Sequence, residues 1–392
     1  MKYKLAMSSW DTAEIEAIQK VIASDRFSMG NMVGEYERKF SDYVGSKHAV
    51  MVNSGSSANL LMIASLFFSK NQDYRLERGD EVIVPSVSWS TTYAPLQQYG
   101  LRVKFVDIDK DTLNIDLDKL KSAITDKTKV ILSVNLLGNP NDFSVIQDLI
   151  SDRKIILLED NCESLGAVFE GKKAGTFGLM GTYSSFFSHH MSTMEGGCIT
   201  TDDDELDHIL RCLRAHGWTR DLPDVNFVSG KKSNIEFEEA FKFCLPGYNV
   251  RPLEMSGAIG LEQLKKLPQF ITGRRKNGAY FMRKFENHPF IKIQREVGMS
   301  SWFGFSLCLT QNCPISRNAF VEILTDNGIE SRPIVTGNFL KNKDLLKYFN
   351  FESFGTHENA EFIDSNGLFV GNHHVDITEE IDCLYRVISS IS

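Results

Sequence analysis

His48-Ala-Val-Met-Val-Asn-Ser-Gly-Ser-Ser-Ala58 is the stretch on which the fold turns. A short apolar run passes into a serine-rich turn, and a helical candidate follows from Ser57 to Phe68. A strand that leads through such a turn into a helix presents free backbone N–H groups and the positive end of the helix dipole, which suit a phosphate. Gly55 lets the backbone approach closely, and the hydroxyls of Ser56 and Ser57 can donate. The same residues also suit a plain serine N-cap without any ligand.

The pattern repeats along the chain. Glu81-Val-Ile-Val-Pro85, Val103-Lys-Phe-Val-Asp107, Lys129-Val-Ile-Leu-Ser-Val134 and Ile155-Ile-Leu-Leu158 read as buried strands. Between them, Ser90 to Tyr99, Ile115 to Ile124 and Ser144 to Ser151 read as helices. Strand and helix in alternation predict an α/β fold with a mostly parallel central sheet flanked by helices. Gly257 to Leu267 reads as a helix, and the polar Thr272-Gly-Arg-Arg-Lys-Asn277 as a mobile junction, so a large domain is expected over 1–268 and a smaller C-terminal α/β domain over 269–392.

Composition narrows the possibilities. The 392 residues, 42% hydrophobic, are enough for a large core and more than one ordinary domain. A formal charge of -8 with no basic patch argues against nucleic acid as a partner. Neither a secretory leader nor an 18-residue apolar stretch occurs, which predicts a soluble cytoplasmic protein. The seven cysteines include no CxxC pair and are expected to be reduced and mostly buried.

Ligands of such sheets bind beyond the carboxyl ends of strands, which makes Ser54 to Ser57, Ser86 to Trp89, Asn135 and Asp160 the residues of interest. Trp89 suits either a core or interface position or a platform for a planar ring. Asp160 closes an Ile/Leu run, where a carboxylate is costly to bury without a cation, although it could instead cap a helix in solvent. His189-His190 does not suggest a metal, because adjacent strand residues point to opposite faces and no further ligand spacing completes a set. His373-His374 reads as loop surface. No lysine occurs between Lys173 and Lys231.

Taken together, the chain resembles the fold-type I pyridoxal-phosphate enzymes, and among them the aminotransferases of nucleotide-linked keto sugars. The resemblance spans nearly the whole chain, through Ser28-Met-Gly30, Ser54 to Ser57, Pro85 to Thr92, Leu136 to Pro140, Glu159-Asp160, Glu195-Gly-Gly197, Arg214 to Asp221 and Gly247 to Arg251. Counting back from Glu195 aligns the family's catalytic lysine with His189, and within the group that exchange resembles the nucleotide-sugar 3-dehydratases. The resemblance implies that Gly55, Ser56, Ser57 and Ser184 surround the cofactor phosphate, Trp89 stacks on the ring, and Asp160 pairs with the ring nitrogen. Asn249 would reach in from the partner subunit of a homodimer with shared active sites. Glu163 stands where the family often has Gln or His and would contact the ring 3-hydroxyl.

Imidazole moves protons near neutral pH but forms no stable Schiff base. The resemblance therefore implies a lyase with His189 and Asp160 as catalytic residues and with pyridoxal or pyridoxamine 5'-phosphate held non-covalently. L-glutamate would supply the amine, and a GDP-linked 4-keto-6-deoxymannose would lose its C3 hydroxyl with release of ammonia, a step in colitose and O-antigen biosynthesis. Arg220 and Arg332 are candidates for glutamate carboxylates or nucleotide phosphates, with a structural ion pair as the alternative for each. Rival readings are an ordinary 4-aminotransferase cycle, a non-catalytic sugar-binding protein, and an iron-sulfur CDP-sugar 3-dehydratase, for which the scattered cysteines supply no ligand set.

Overall fold

A computed structural model describes residues 2–391; Met1 and Ser392, the outermost residues of the two expected domains, lie outside it. The first repeat forms strand β1, His48–Val52, and the helix Gly55–Leu66. Then follow β2 (Glu81–Pro85), β3 (Arg102–Val106), β4 (Thr128–Val134), β5 (Ile156–Asp160), β6 (Met180–Ser184) and β7 (Gly197–Thr201). With β1 to β7 numbered in this way, the sheet order is β1-β7-β6-β5-β4-β2-β3, and Phe351–Ser353 adds an eighth strand beside β3. Every neighbouring pair from β6 to that edge is parallel, while β7 runs antiparallel to both β1 and β6.

Both faces of this sheet are covered, which is why its strands read as continuous apolar runs and not as alternating ones. Leu61, Met62 and Leu210 pack on one face with Val82, Val103 and Leu132, and Leu120, Phe143 and Ile146 cover the other beside Ile83 and Ile131. A second sheet of four antiparallel strands, Ile291–Lys292, Gly304–Leu309, Gly367–Gly371 and Ser331–Arg332 in that order, carries its own core of Phe281, Phe305, Phe320 and Leu384.

The reading of 272–277 as a mobile junction is overturned. One helix runs unbroken from Glu254 to Phe285, with Pro268 inside it, and so crosses the 268/269 position. Two of its polar residues, Arg274 and Asn277, are buried fasteners. Arg274 Nη1 donates to the carbonyls of Phe303 (3.1 Å) and Asn372 (2.9 Å), and Asn277 Nδ2 donates to those of His373 and Val375. Composition looked solvent-like because these groups are satisfied by main-chain acceptors of distant segments.

Two further expectations change. His373 is buried, with Nε2 2.8 Å from the Lys4 carbonyl, and is not loop surface. Of the unpaired cysteines only Cys198, Cys212 and Cys308 are buried; Cys162, Cys313 and Cys383 are half-buried and Cys244 is exposed.

Candidate active site

The carboxyl ends of β1, β2, β4, β5 and β6 meet at one edge of the large sheet. Because β7 runs the other way, its first residue Gly197 pairs with the last of β6, Ser184, and the turn between them lies over the same edge. A cavity of about 440 Å³ opens there, a size suited to a small organic cofactor or ligand. Its wall includes Gly55, Ser56, Trp89, Asp160, Glu163, Ser184, His189 and Arg332, so most of the expected residues converge on it.

The serine turn does two things at once. Ser54 Oγ accepts from Ser57 N at 3.1 Å and caps the helix Gly55–Leu66 as a plain N-cap would. Gly55 and Ser56 remain at the cavity wall, with Ser56 Oγ 2.8 Å from Thr91 Oγ1. A Cβ on Gly55 would stand 2.7 Å from Ser184 Cβ, so only glycine lets the helix N-terminus approach the end of β6 closely enough to shape this cradle. Ser57 is held at the cap and does not line the cavity.

Asp160 is 5% exposed and caps no helix in solvent. Its Oδ2 accepts from Thr92 Oγ1 (2.7 Å) and Asn59 Nδ2 (2.8 Å), and its Oδ1 from Cys162 N (3.1 Å). Asn59 is itself fixed, since Thr182 Oγ1 donates to its amide oxygen at 2.6 Å. These donors fix the carboxylate at the cavity wall. Sequence reasoning missed Asn59, Thr92 and Thr182. The available signal was a buried Asn inside an otherwise apolar helix segment, Ala58-Asn-Leu-Leu61.

Trp89 is the opposite case, a large ring 52% exposed on the cavity wall with no aromatic partner among the described residues. An apolar face left open beside a carboxylate and a helix N-terminus fits a flat, cationic, phosphorylated ring. The donor set therefore fits pyridoxal or pyridoxamine phosphate.

Glu163 lines the same wall and accepts from Leu137 N at 3.1 Å. Burial pushes its carboxyl up to about 7, opposed by the Arg332 guanidinium and assisted by the neighbouring charge of Asp160. Arg332 extends from the second sheet with its guanidinium over the Phe369 ring at 4.5 Å. Among the described residues it makes no ion pair, and it lines the cavity.

His189 lies in the turn after β6, its N–H bonded to the Phe186 carbonyl at 2.9 Å. The strand expected to run through His190 ends at Ser184, so the opposite-face argument does not apply: the His189 and His190 rings both approach Phe303, at 5.0 and 5.8 Å. Burial, then Arg332 and Arg274, hold the His189 imidazole down at about 3, so it is neutral at physiological pH. Among the described residues, no group of three His, Cys, Asp or Glu side chains is placed to hold a metal ion.

Arg220 and Asn249 are not part of this chain's cavity wall. Arg220 is exposed, donates to the Ala240 carbonyl at 3.0 Å and stacks over Trp218 at 4.1 Å. Asn249 is exposed, and its Oδ1 accepts from Arg251 Nε at 3.0 Å.

Comparison with known proteins agrees with this geometry. GDP-4-keto-6-deoxy-D-mannose 3-dehydratase of Yersinia pseudotuberculosis is 63% identical over 388 residues, covering 99% of this chain and 98% of that protein. Two solved structures of GDP-4-keto-6-deoxymannose-3-dehydratase superpose with a TM-score of 0.97 at 63% identity, each covering 98% of this chain and 100% of the other. One is a mutant with bound GDP-perosamine, and the other holds a trapped PLP-glutamate geminal diamine. Residues 8–380 match the DegT/DnrJ/EryC1/StrS aminotransferase family, and the chain belongs to that family.

Proposed function

We propose that this protein removes the C3 hydroxyl of GDP-4-keto-6-deoxy-D-mannose, giving GDP-4-keto-3,6-dideoxymannose and ammonia, with L-glutamate as amine donor. The observation that carries this reading is the neutral imidazole of His189 on the wall of a cavity lined by no lysine among the described residues. The named activity of relatives 63% identical over nearly their whole length supports it. An aminotransferase needs a primary amine to capture its cofactor, whereas an imidazole can only move protons. When bound, the pyridoxamine form of the cofactor supplies the amine that joins the sugar ketone and a protonated ring that draws electrons.

The chain's own residues divide the remaining work. Ser56, Ser184 and the N-terminus of the helix Gly55–Leu66 bind the cofactor phosphate, and Trp89 supports the ring face. Asp160 keeps the proton on the ring nitrogen, because a fixed carboxylate favours the cationic form. His189 takes the proton from the carbon bearing the cofactor amine, the freed electrons break the C3–O bond, and the imidazolium gives a proton to the departing hydroxide, which leaves as water. Glu163, protonated near neutrality, offers a hydrogen to the ring 3-hydroxyl. Arg332 binds an anionic group of glutamate or of the nucleotide.

The proposal extends to a homodimer in which Asn249 and Arg220 serve the neighbouring site. Its support is a run of exposed apolar residues in the same segment, Val225, Phe227, Ile235, Phe237, Phe241 and Phe243, more than an isolated surface normally shows. Sedimentation should give twice the 44.3 kDa chain mass, and a monomer fully active at assay concentration would remove this part of the reading. No described helix is long and apolar enough to cross a membrane, and a cytoplasmic location is proposed.

The deciding experiment mixes the purified protein with pyridoxal phosphate, glutamate and GDP-4-keto-6-deoxymannose, then measures product mass and free ammonia. A sugar lacking one oxygen, with ammonia released, is the expected result. A stable 4-amino sugar without ammonia would overturn it in favour of an aminotransferase cycle, and no turnover would favour a binding protein.

A further inference from the structure

Catalytic imidazoles are usually oriented by a carboxylate or carbonyl on the nitrogen turned away from the substrate. His189 has no such partner. Its Nδ1 is buried without a hydrogen bond, and its ring lies near two phenyl rings, Phe303 at 5.0 Å and 62° and Phe186 at 5.9 Å and 82°. Phe186 is exposed and belongs to the same turn, so it cannot fix His189 against the rest of the molecule. Phe303 comes from elsewhere in the chain and is almost wholly buried.

The backbone of Phe303 is clamped. Its N–H donates to the Leu137 carbonyl at 3.0 Å, and its carbonyl accepts from Arg274 Nη1 at 3.1 Å. The preceding Trp302 has φ +50, and Gly138, φ +96, leaves no room for a Cβ, which would stand 2.4 Å from Trp302 N. His190 Nε2, 3.1 Å from the Ser301 carbonyl, ties the His189 turn to the same segment. The Phe303 ring also neighbours Phe369 at 6.4 Å, on which Arg332 rests.

We propose that Phe303 is the positioning residue for His189, holding the imidazole plane and sealing Nδ1 from water so that Nε2 alone exchanges protons with the cavity. This rests on the reading of His189 as the base. An aromatic edge replaces the usual hydrogen bond, and it does so without a negative charge that would stabilise the protonated ring. The charged and titratable groups around His189 are Arg332 from the second sheet, Arg274 from the long helix, His190 in its own turn, Glu195 just before β7, and Asp160, Cys162 and Glu163 from the end of β5. Phe303 and Phe369 also link base and anion-binding arginine, so their spacing is set by two buried rings in contact.

The test compares Phe303→Leu, which keeps apolar bulk but removes the flat edge, with the ring-retaining Phe303→Tyr. In protein labelled with ¹⁵N-histidine and free of cofactor, Phe303→Leu should change the His189 ring-nitrogen shifts and move its titration toward the ordinary histidine range. In the assembled enzyme, kcat should fall by roughly tenfold or more for a misplaced base, with KM for the GDP-sugar held within about twofold, and Phe303→Tyr should restore most of the rate. Unchanged His189 shifts and titration in Phe303→Leu would overturn the proposal, as would an equal loss in both variants. If the wild-type enzyme failed to dehydrate the sugar, the base role would fall, while the cofactor-free titration would still decide whether Phe303 positions the ring.

Discussion

Asp160→Asn isolates the electrostatic half of the site. The substitution keeps shape and removes one charge from a carboxylate that is 5% exposed and accepts three hydrogen bonds. Two separate costs follow. At an effective dielectric of about 20, opposite charges about 4 Å apart attract by about 4 kcal/mol, which is the scale of the pairing lost with a protonated ring nitrogen. If that loss falls on the barrier, kcat drops by about 10³. The cost to folding is smaller. Thr92 Oγ1 already lies 2.8 Å from Ser88 Oγ and can turn to it, so Asn59 is the donor left facing an amide, a loss of about 1.5–3 kcal/mol for a hydrogen bond to a charged group. The assay pairs turnover, read as ammonia release, with a thermal melt of the cofactor-free protein. A variant that melts near wild type and turns over at the wild-type rate would refute the assignment of Asp160 to the ring nitrogen.

His189→Lys should capture pyridoxal phosphate covalently, seen as an added mass after borohydride reduction, and abolish dehydration; dehydration at the wild-type rate would refute the base role. Glu163→Gln probes the carboxyl held up near 7. Because the folded protein binds this proton more tightly than the unfolded chain, stability from this group is lost as pH rises from about 4.5 through 7. The variant should therefore gain melting temperature relative to wild type at pH values above 7 and not below 4.5, and a pH-independent difference would contradict the raised value.

Much of the sheet was legible in the sequence because its strands are buried on both faces and leave unbroken apolar runs; β2, Glu81–Pro85, occupies the expected residues. The cavity wall was legible for a related reason, since residues that follow such runs must lie at the carboxyl edge. What could not be read were partners far away in sequence. Asn59 and Thr92 hold Asp160 from two other elements and Thr182 fixes Asn59 from a third; the Asn in an apolar helical run marks a buried polar group but not its partner, and nothing local marks the two threonines. The same limit hid the role of Arg274 and Asn277. Their side chains satisfy carbonyls about 30 to 100 residues away, so a polar helix segment looked like a solvated junction. Periodicity reports which residues are buried, but it does not report which acceptors wait at the other end.

The exchange of lysine for histidine makes physical sense only together with its surroundings. Before an anionic ligand binds, burial and two guanidinium groups hold His189 at about 3, too low for an effective base near neutral pH. Each anionic group that Arg332 takes up cancels part of that positive potential, and so raises the imidazole toward the range where it works. Its basicity is thus tied to occupancy of the site. The orphaned Nδ1 acts in the opposite direction, because a protonated ring gains no acceptor there and does not retain the proton it has taken. A lysine ammonium would be solvated or paired and would hold its proton. An imidazole wedged against Phe303 passes it on, and elimination requires a base that does so.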